Sequence, residues 1–189
     1  MCGISGIINF KNKPNTSTVE GMNQKIRYRG PNHNSVWSNL FSAIGIVRLS
    51  IIDLSKNSNQ PFTDKERDVS IIFNGEIYNF VELKKKYFSK TTFKSSGDGE
   101  VLLHLYKKFG ISFIDQIKGM FSICIIDGKN KKTYLIRDRF GIKPLYFHFN
   151  DNLGELTFCS EIPGIFINKK INKEINFNEV YNSIYNGLI

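Results

Sequence analysis

The 189-residue sequence has few of the features that mark disulfide-rich, membrane or secreted proteins. Its three cysteines, Cys2, Cys124 and Cys159, are an odd and sparse set that does not suit a disulfide framework. The uninterrupted apolar stretches are only a few residues long, too short to cross a bilayer. No basic region precedes a long apolar one at the N-terminus, so no signal peptide is predicted. These absences predict a cytoplasmic protein in a reducing compartment, without membrane association.

Several catalytic motifs are also missing. The sequence has no H-E-x-x-H, no Walker A loop, no G-x-G-x-x-G and no G-x-S-x-G. The three histidines, His33, His104 and His148, are far in sequence from one another and from every cysteine. We therefore expect no metal site, and the usual signatures of metal hydrolysis, nucleotide binding and serine hydrolysis are absent.

The charge balance is basic, with 26 Lys and Arg against 17 Asp and Glu, a net charge of +9. Twenty of the basic residues are Lys and six are Arg, and the lysines are spread from Lys11 to Lys173. A nucleic-acid interface normally concentrates its basic residues in one patch or stripe. Because dispersed lysines tune solubility rather than identify a partner, no nucleic-acid partner is predicted.

Apolar alternation dominates the chain, and helical periodicity is confined to a few segments. The sequence Ser17-x-x-Glu20 is typical of a capping box and predicts a short helix to about residue 27. Two further helices are predicted by apolar spacing around residues 80–87 and 101–109. Strands are predicted at 2–10, 41–52, 69–73, 120–127, 132–137, 145–149 and 156–160. Since strict βαβ alternation is absent, the pattern indicates an α+β fold with mostly antiparallel strands.

Cys2 is the sharpest candidate for chemistry. Removal of Met1, which a small second residue favours, would leave a thiol and a free α-amine on one residue. An α-amine with an ordinary pKa of about 7.7–8.0 can accept the thiol proton through a bridging water. The alternative is that a cysteine lies near the start by chance. Cys124 and Cys159 lie within apolar strand patterns, which predicts that both are core residues.

Three other positions allow both a structural and a chemical interpretation. Asn74-Gly75 follows a strand and is either an ordinary turn or an oxyanion hole. Arg48 interrupts an apolar run and either caps a sheet end or binds a carboxylate. Asp98 lies between two glycines ahead of a helix and is either its N-cap or an acceptor for a substrate ammonium group.

A series of motifs runs in order through almost the whole chain. They are Met1-Cys2-Gly3-Ile4-x-Gly6, Arg29-Gly30-Pro31, Arg48-Leu49-Ser50-Ile51, Asn74-Gly75-Glu76-Ile77-Tyr78-Asn79, Gly97-Asp98, Gly119-Met120-Phe121, Arg137-Asp138-Arg139-Phe140-Gly141-Ile142-Lys143-Pro144-Leu145-Tyr146 and Ser160-Glu161-Ile162. The series resembles the class II glutamine amidotransferase domain of glutamine-hydrolysing asparagine synthetases. The resemblance implies an N-terminal-nucleophile (Ntn) hydrolase fold, a four-layer αββα sandwich with mostly antiparallel sheets.

The resemblance also implies roles for individual residues. Cys2 attacks the side-chain amide carbon of L-glutamine, and its own α-amine is the general base. Asn74 and Gly75 form the oxyanion hole in the implied mechanism. Arg48 binds the α-carboxylate, and Asp98 binds the α-ammonium group with help from Glu76. The backbone and apolar side chains of the remaining segment surround the substrate: Leu49, Ile51 and Ile52. Arg29 and the Gly30-Pro31 loop are expected to close over bound glutamine, and residues 137–146 to form scaffold and an interdomain surface. Asn32 and Val47 depart from the family pattern without touching these roles.

The resemblance divides the chain into a glutaminase domain at residues 1–167 and, at 168–189, the end of that domain and the start of a connector. The polar segment from Asn168 leads into a helical face of Tyr181, Ile184, Tyr185 and Leu188. The connector would lead to a synthetase domain, in cis or in trans, since the Ser-Gly-Gly-x-Asp-Ser motif is absent. No cofactor is expected here, while ATP and Mg would belong to that other domain. Three possibilities are left open. The chain could form a homodimer, the ammonia could go to another acceptor such as a sugar precursor, or the domain could be a catalytically silent regulatory module that binds glutamine.

Overall fold

The computed structural model describes residues 1–66 and 68–187 of the chain. Its strands are β1 Gly3–Asn9, β2 His33–Ser38, β3 Ser42–Arg48, β4 Phe62–Asp64, β5 Val69–Ile77, β6 Gly119–Asp127, β7 Lys132–Arg137, β8 Tyr146–Asn150 and β9 Glu155–Cys159. Its helices are α1 Thr16–Lys25, α2 Phe80–Tyr87, α3 Glu100–Phe109, α4 Ile162–Ile165 and α5 Phe177–Tyr185. Short 3₁₀ helices span Arg27–Arg29, Lys56–Ser58 and Gly110–Gln116.

The strands form two sheets, and every strand pair within them is antiparallel. One sheet has the order β2-β3-β1-β9-β8, and the other has the order β4-β5-β6-β7. In the first sheet, Gly3 lies opposite Val47 and Ser5 lies opposite Cys159. In the second, Asn74 lies opposite Ser122 and Gly75 opposite Phe121. The mostly antiparallel arrangement predicted from the sequence is therefore confirmed.

Alternation along the strands divides the apolar residues among three cores. Within β5, Ile71 and Phe73 face helices α2 and α3, whereas Ile72 between them faces the other sheet. The core between the sheets also contains Ile4, Ile46 and Phe158. A third core packs α1 and α4 on the outer face of the first sheet. The layers are therefore helix, sheet, sheet and helix, which confirms the predicted αββα sandwich.

Several element boundaries differ from the sequence prediction. The N-cap of α1 is Asn15, whose side chain accepts a hydrogen bond from the Ser17 amide, so the predicted capping box is wrong. Strand β3 ends at Arg48, and residues 49–52 form a loop. Strands β2 and β4 were not predicted, because neither shows a clear alternation of apolar and polar residues. Cys124 and Cys159 are fully buried, as predicted.

The C-terminal segment packs against the domain near Asn168 and is exposed along α5. The side-chain Nδ2 of Asn168 donates to Glu155 Oε1 at 3.0 Å and to Thr157 Oγ1 at 2.9 Å. Ile171 belongs to the core beneath α1. Helix α5 contains no buried residue, and the predicted face residue Leu188 lies outside the described residues. The division at residue 168 stays a prediction.

None of the helices in the described ranges 1–66 and 68–187 is both long and apolar enough to cross a membrane.

The position of the core between the sheets predicts that two paired phenylalanines contribute very differently to the stability of the fold. Phe158 on β9 is fully buried, whereas its register partner Phe147 on β8 is 67% exposed. We expect Phe158→Ala to lower the free energy of unfolding by about 3–5 kcal/mol, because it leaves a cavity between the sheets. The matched Phe147→Ala should change it by about 0.5 kcal/mol or less. Urea unfolding of both variants measures the difference, and equal losses would contradict the layer assignment.

Candidate active site

One pocket of about 190 Å³ opens where the ends of β1, β3 and β5 meet. This volume is below the roughly 300–1,000 Å³ of pockets for drug-sized ligands, and it suits a single small substrate. The pocket is lined by all nine site residues predicted from the sequence: Cys2, Arg48, Leu49, Ile51, Ile52, Asn74, Gly75, Glu76 and Asp98. The structure thus brings the nine together from four separate segments, while their individual roles stay predictions.

The Cys2 thiol lies against the backbone of Leu49. The Leu49 amide donates to Cys2 Sγ at 3.4 Å, and the thiol in turn faces the Leu49 carbonyl oxygen at 3.6 Å. This contact follows from the pairing of β1 with β3, which places the residue before Gly3 beside the end of β3. Leu49 therefore acts through its backbone, which orients the sulfur at the pocket wall.

Burial raises the pKa of the Cys2 thiol above its ordinary value. The Leu49 hydrogen bond, the chain's α-amino group and Arg48 each lower this pKa, but they do not overcome burial. A buried thiol that stays protonated is a poor nucleophile, because the thiolate is the reactive species. Attack by Cys2 therefore requires a base at the site.

Arg29 holds the backbone of the same cysteine. Its Nε donates to the Cys2 carbonyl oxygen at 2.9 Å, and its Nη1 donates to Glu161 Oε1 at 2.6 Å. The other Glu161 oxygen accepts a hydrogen bond from the Tyr28 hydroxyl. Arg29 does not line the pocket, and its closure over bound glutamine stays a prediction. Its position fixes the main chain behind the nucleophile.

The loop after Arg29 also lies away from the pocket. Gly30 passes so close to β3 that a Cβ there would lie 2.3 Å from the Val47 carbonyl carbon. The Asn32 side chain accepts a hydrogen bond from the Ser50 amide at 3.0 Å. The loop is therefore packed against β3 and the segment after it. Asn32, a departure from the family pattern, supports the backbone that follows Arg48.

Asn74 offers an unpaired donor to the pocket. Asn74 is 1% exposed, and its Nδ2 has no hydrogen-bond partner among the described residues. A buried polar group without a partner is costly, and such groups need an explanation. A ligand oxygen in the pocket would supply the missing acceptor. The interpretation as an oxyanion hole is therefore favoured over that of an ordinary turn.

Gly75 and Gln60 set the backbone around Asn74. A Cβ on Gly75 would lie 2.1 Å from the Met120 carbonyl oxygen, so only glycine fits there. The Gln60 side chain donates to the Phe73 carbonyl at 3.0 Å and accepts from the Phe73 amide at 2.6 Å. Gln60 thus pairs with the backbone groups of β5 that lie beyond the end of β4. It holds this strand at the residue just before Asn74.

Arg48 is anchored on one side and free on the other. Its Nη1 donates to the Ser55 carbonyl at 3.1 Å and to Asn59 Oδ1 at 2.8 Å, and its Nη2 donates to the Asp53 carbonyl. A guanidinium group has five N–H donors. Bonds to the described residues use three of them, which leaves two for a ligand carboxylate at the pocket wall.

Asp98 faces the same pocket from the loop before α3. Its Oδ2 accepts a hydrogen bond from the Ile77 amide at 2.8 Å. Burial raises the pKa of this carboxyl group, and the Ile77 hydrogen bond lowers it. The loop is held by Lys84, whose Nζ donates to the Gly97 carbonyl at 2.8 Å. A substrate ammonium group would offset the cost of a buried carboxylate here.

Asp53 joins the Arg48 loop to the Asp98 loop. Its carboxylate accepts hydrogen bonds from the Ser55 amide, the Ser58 hydroxyl and the Ser96 amide at 2.8–2.9 Å. Hydrogen bonds from Ser55 and Ser58 hold the pKa of Asp53 well below its usual range. No role for Asp53 is predicted from the sequence. Its only signal was its position at the end of the apolar run that begins at Arg48.

Lys143 is a second pocket residue that was not predicted from the sequence. Residues 137–146 were expected to be scaffold and interdomain surface, yet Lys143 is 6% exposed and lines the pocket. Glu76 lines the pocket as well, and Ile51 and Ile52 are exposed apolar residues at its wall.

Comparison with known proteins places this arrangement in a family. Residues 1–188 match the family described as the glutamine amidotransferase domain. The chain belongs to this family. It is 42% identical over 170 residues to asparagine synthetase [glutamine-hydrolyzing] 2 of Bacillus subtilis, which covers 88% of the chain and 22% of the relative. It is also 33% identical over 175 residues to amidase chry2 of Gibberella zeae, covering 86% of the chain and 26% of that protein.

A solved structure supports the fold of the glutamine amidotransferase domain. The domain resembles glutamine phosphoribosylpyrophosphate amidotransferase from B. subtilis with a TM-score of 0.73 and 18% identity, over 88% of this chain and 43% of that one. At this identity the likeness shows the fold, that of an Ntn hydrolase. The chain spans about a quarter of the length of the two curated relatives above.

The described part of the amidotransferase domain holds no cluster of three or more His, Cys, Asp or Glu side chains close enough to bind a metal ion.

The environment of Cys2 predicts its reactivity in protein that retains Met1. We expect iodoacetamide to modify Cys2 more slowly at about pH 7 than the same cysteine in urea, because burial raises the pKa of the thiol. The buried Cys124 and Cys159 should react only in urea. Peptide mass spectrometry over time measures all three. Faster labelling of folded than of unfolded Cys2 at this pH would reveal a standing thiolate and contradict the interpretation.

Proposed function

We propose that this glutamine amidotransferase domain hydrolyses L-glutamine to glutamate and ammonia through a γ-glutamyl thioester on Cys2. One observation carries the proposal: the buried side-chain nitrogen of Asn74, which has no hydrogen-bond partner among the described residues, belongs to the same pocket as the Cys2 thiol. A thiol nucleophile and an unpaired donor together suit a reaction in which a carbonyl oxygen gains negative charge.

The chemistry begins after removal of Met1, which frees the Cys2 α-amine. The amine accepts the thiol proton, and the sulfur attacks the Cδ atom of the glutamine side chain. Asn74 Nδ2 and the Gly75 amide donate to the resulting oxyanion. The C–N bond then breaks, the amine returns the proton to the leaving nitrogen, and ammonia departs. Water next attacks the thioester with the same amine as base, which releases glutamate and restores the thiol.

Recognition of glutamine uses the two charged walls of the pocket. The two free donors of Arg48 bind the α-carboxylate, and Asp98, with Glu76 nearby, binds the α-ammonium group. Leu49, Ile51 and Ile52 enclose the aliphatic part. Arg48 is held by three acceptors and the loop of Asp98 by Lys84, so both charges are oriented before substrate arrives.

We further propose that the ammonia serves an asparagine-synthetase-like, ATP-dependent amidation on another domain, in cis or in trans, in the cytoplasm. The identity to glutamine-hydrolysing asparagine synthetases supports this. ATP and Mg would bind that domain, and no cofactor is proposed here. The relative named an amidase favours a second candidate, the same glutaminase serving a different acceptor. A silent glutamine-binding module and a homodimer remain alternatives for experiment.

Release of glutamate tests the proposal directly. After intact mass confirms loss of Met1, the wild-type domain should release glutamate from L-glutamine, and Cys2→Ala should abolish the release. Hydroxylamine should divert the thioester to γ-glutamyl hydroxamate in the wild type alone. Binding of glutamine without Cys2-dependent release by the processed protein would refute hydrolysis and favour the silent module.

The separate roles in the pocket predict different kinetic effects. Asn74→Ala should lower kcat by about 100–1,000-fold with little change in KM, because its donor is used most in the transition state. Arg48→Ala and Asp98→Asn should raise KM by about tenfold or more, since their contacts to the zwitterion are already made in the bound substrate. Steady-state kinetics, with thermal unfolding as the control for folding, measure the split. Equal losses of kcat in all three variants would contradict these roles.

A further inference from the structure

The loop after β7 is folded around the carboxylate of Asp138. This side chain is 6% exposed, and hydrogen bonds from backbone amides contribute to holding its pKa below the usual range, although burial opposes them. Its oxygens accept hydrogen bonds from four amides at 2.9–3.2 Å: those of Phe121, Phe140, Ile142 and Lys143. A carboxylate that accepts this many backbone donors fixes the shape of a loop.

Arg137 fixes the same loop from the other side. Its Nε donates to the Lys143 carbonyl at 2.8 Å, and its Nη2 donates to the Gly141 carbonyl at 2.6 Å. Both Arg137 and Asp138 therefore hold the main chain of Lys143, one through its carbonyl and the other through its amide. The loop is a rigid support for a single side chain.

The side chain so supported is a buried ammonium group inside the pocket. Lys143 is 6% exposed, and its Nζ lies 3.2 Å from Met1 Sδ. Among the described residues this thioether is its one hydrogen-bond partner, and thioether sulfur is a weak acceptor. Burying a cation without an anion costs free energy. The burial of Lys143 therefore indicates that this residue has a function other than stabilising the fold.

The distribution of basic residues points the same way. In the described part of the chain, only two basic residues are buried, Arg48 and Lys143. Both line the pocket that contains Cys2. Arg48 has three oxygen acceptors and a proposed substrate group, whereas the one acceptor of Lys143 among the described residues is the weak thioether sulfur of Met1. Its Nζ is directed at the position of Met1, the residue whose removal exposes the Cys2 α-amine.

Building on the proposed glutaminase mechanism, we propose that Lys143 is a positioning residue that keeps the Cys2 α-amine neutral after Met1 is removed. The neutral amine can then accept the thiol proton. An α-amine with an ordinary pKa of about 7.7–8.0 is mostly protonated at neutral pH and cannot accept the thiol proton. A neighbouring cation disfavours a second positive charge and lowers the pKa of the amine. The ammonium of Lys143 supplies that cation.

The other charged groups around the amine do not make Lys143 redundant. Arg48 at the end of β3 acts in the same sense, but its charge is matched by bound glutamine's carboxylate. Glu76 on β5 and Asp98 before α3 are pocket-lining anions, which favour the protonated amine. Behind Cys2, the charge of Arg29 is balanced by Glu161. Lys143, which lines the same pocket as Glu76 and Asp98, offsets these anions.

The test compares the pH dependence of kcat, which reports the glutamine-bound enzyme, in Met1-free wild type, Lys143→Met and Lys143→Arg. In Lys143→Met the acidic limb should move up by about one pH unit, because loss of the cation raises the pKa of the amine. Activity would fall about tenfold near pH 7 and recover near pH 9. Lys143→Arg should keep the wild-type limb, as should the exposed control Lys129→Met. A uniform loss at every pH would overturn the proposal.

A second measurement separates this proposal from the glutaminase mechanism. In a Cys2→Ser background, the pH dependence of α-amine acetylation by acetic anhydride reports the titration of that amine without any turnover. Its midpoint should rise by about one pH unit on adding Lys143→Met, without loss of thermal stability, because an unpaired buried cation is removed. An unchanged midpoint would refute the role of Lys143 even if glutamine is hydrolysed. A shifted midpoint without glutamate release from wild type would refute the glutaminase alone.

Discussion

The antiparallel register between β1 and β3 is the constraint on which the site depends. With Gly3 opposite Val47 and Ile4 opposite Ile46, the two isoleucines face the core between the sheets. A slip of one residue would turn the apolar side chains of β1 to the wrong face, so the core itself specifies the pairing. The same register places Cys2 beside the end of β3. Burial of isoleucines thus determines where the thiol lies.

The pocket also depends on the distance between the two sheets. Cys2 and Arg48 come from the ends of strands in one sheet, whereas Asn74 comes from β5 in the other. The core between the sheets holds these ends apart by the width of a packed layer of side chains. Polar side chains then fasten the loops, as Asp53 does between the segments of Arg48 and Asp98. A site assembled this way has its dipoles oriented before substrate binds.

Local patterns predicted the parts of the structure that local physics controls. Apolar patterning located β1, β6 and β7 almost to the residue, because β1 and β6 are buried on both faces and β7 is mostly half-buried. It missed β4, whose three residues are too few to show a period. Five of the nine pocket residues were already candidates from their local chemistry, and the resemblance to a family added Leu49, Ile51, Ile52 and Glu76. Asp53 and Lys143 were not found, because their importance comes from hydrogen bonds and burial that join segments distant in sequence.

The raised pKa of the thiol explains why the base must be close to it. A standing thiolate in this pocket would react with any electrophile, whereas a protonated thiol becomes nucleophilic only when its proton has a destination. An α-amine on the same residue adds no side chain that must be ordered, so its position carries little entropic cost. The amine must in turn be neutral at working pH. In the proposed mechanism, burial of the sulfur therefore makes a nearby cation useful, and Lys143 is the residue that we propose for this role.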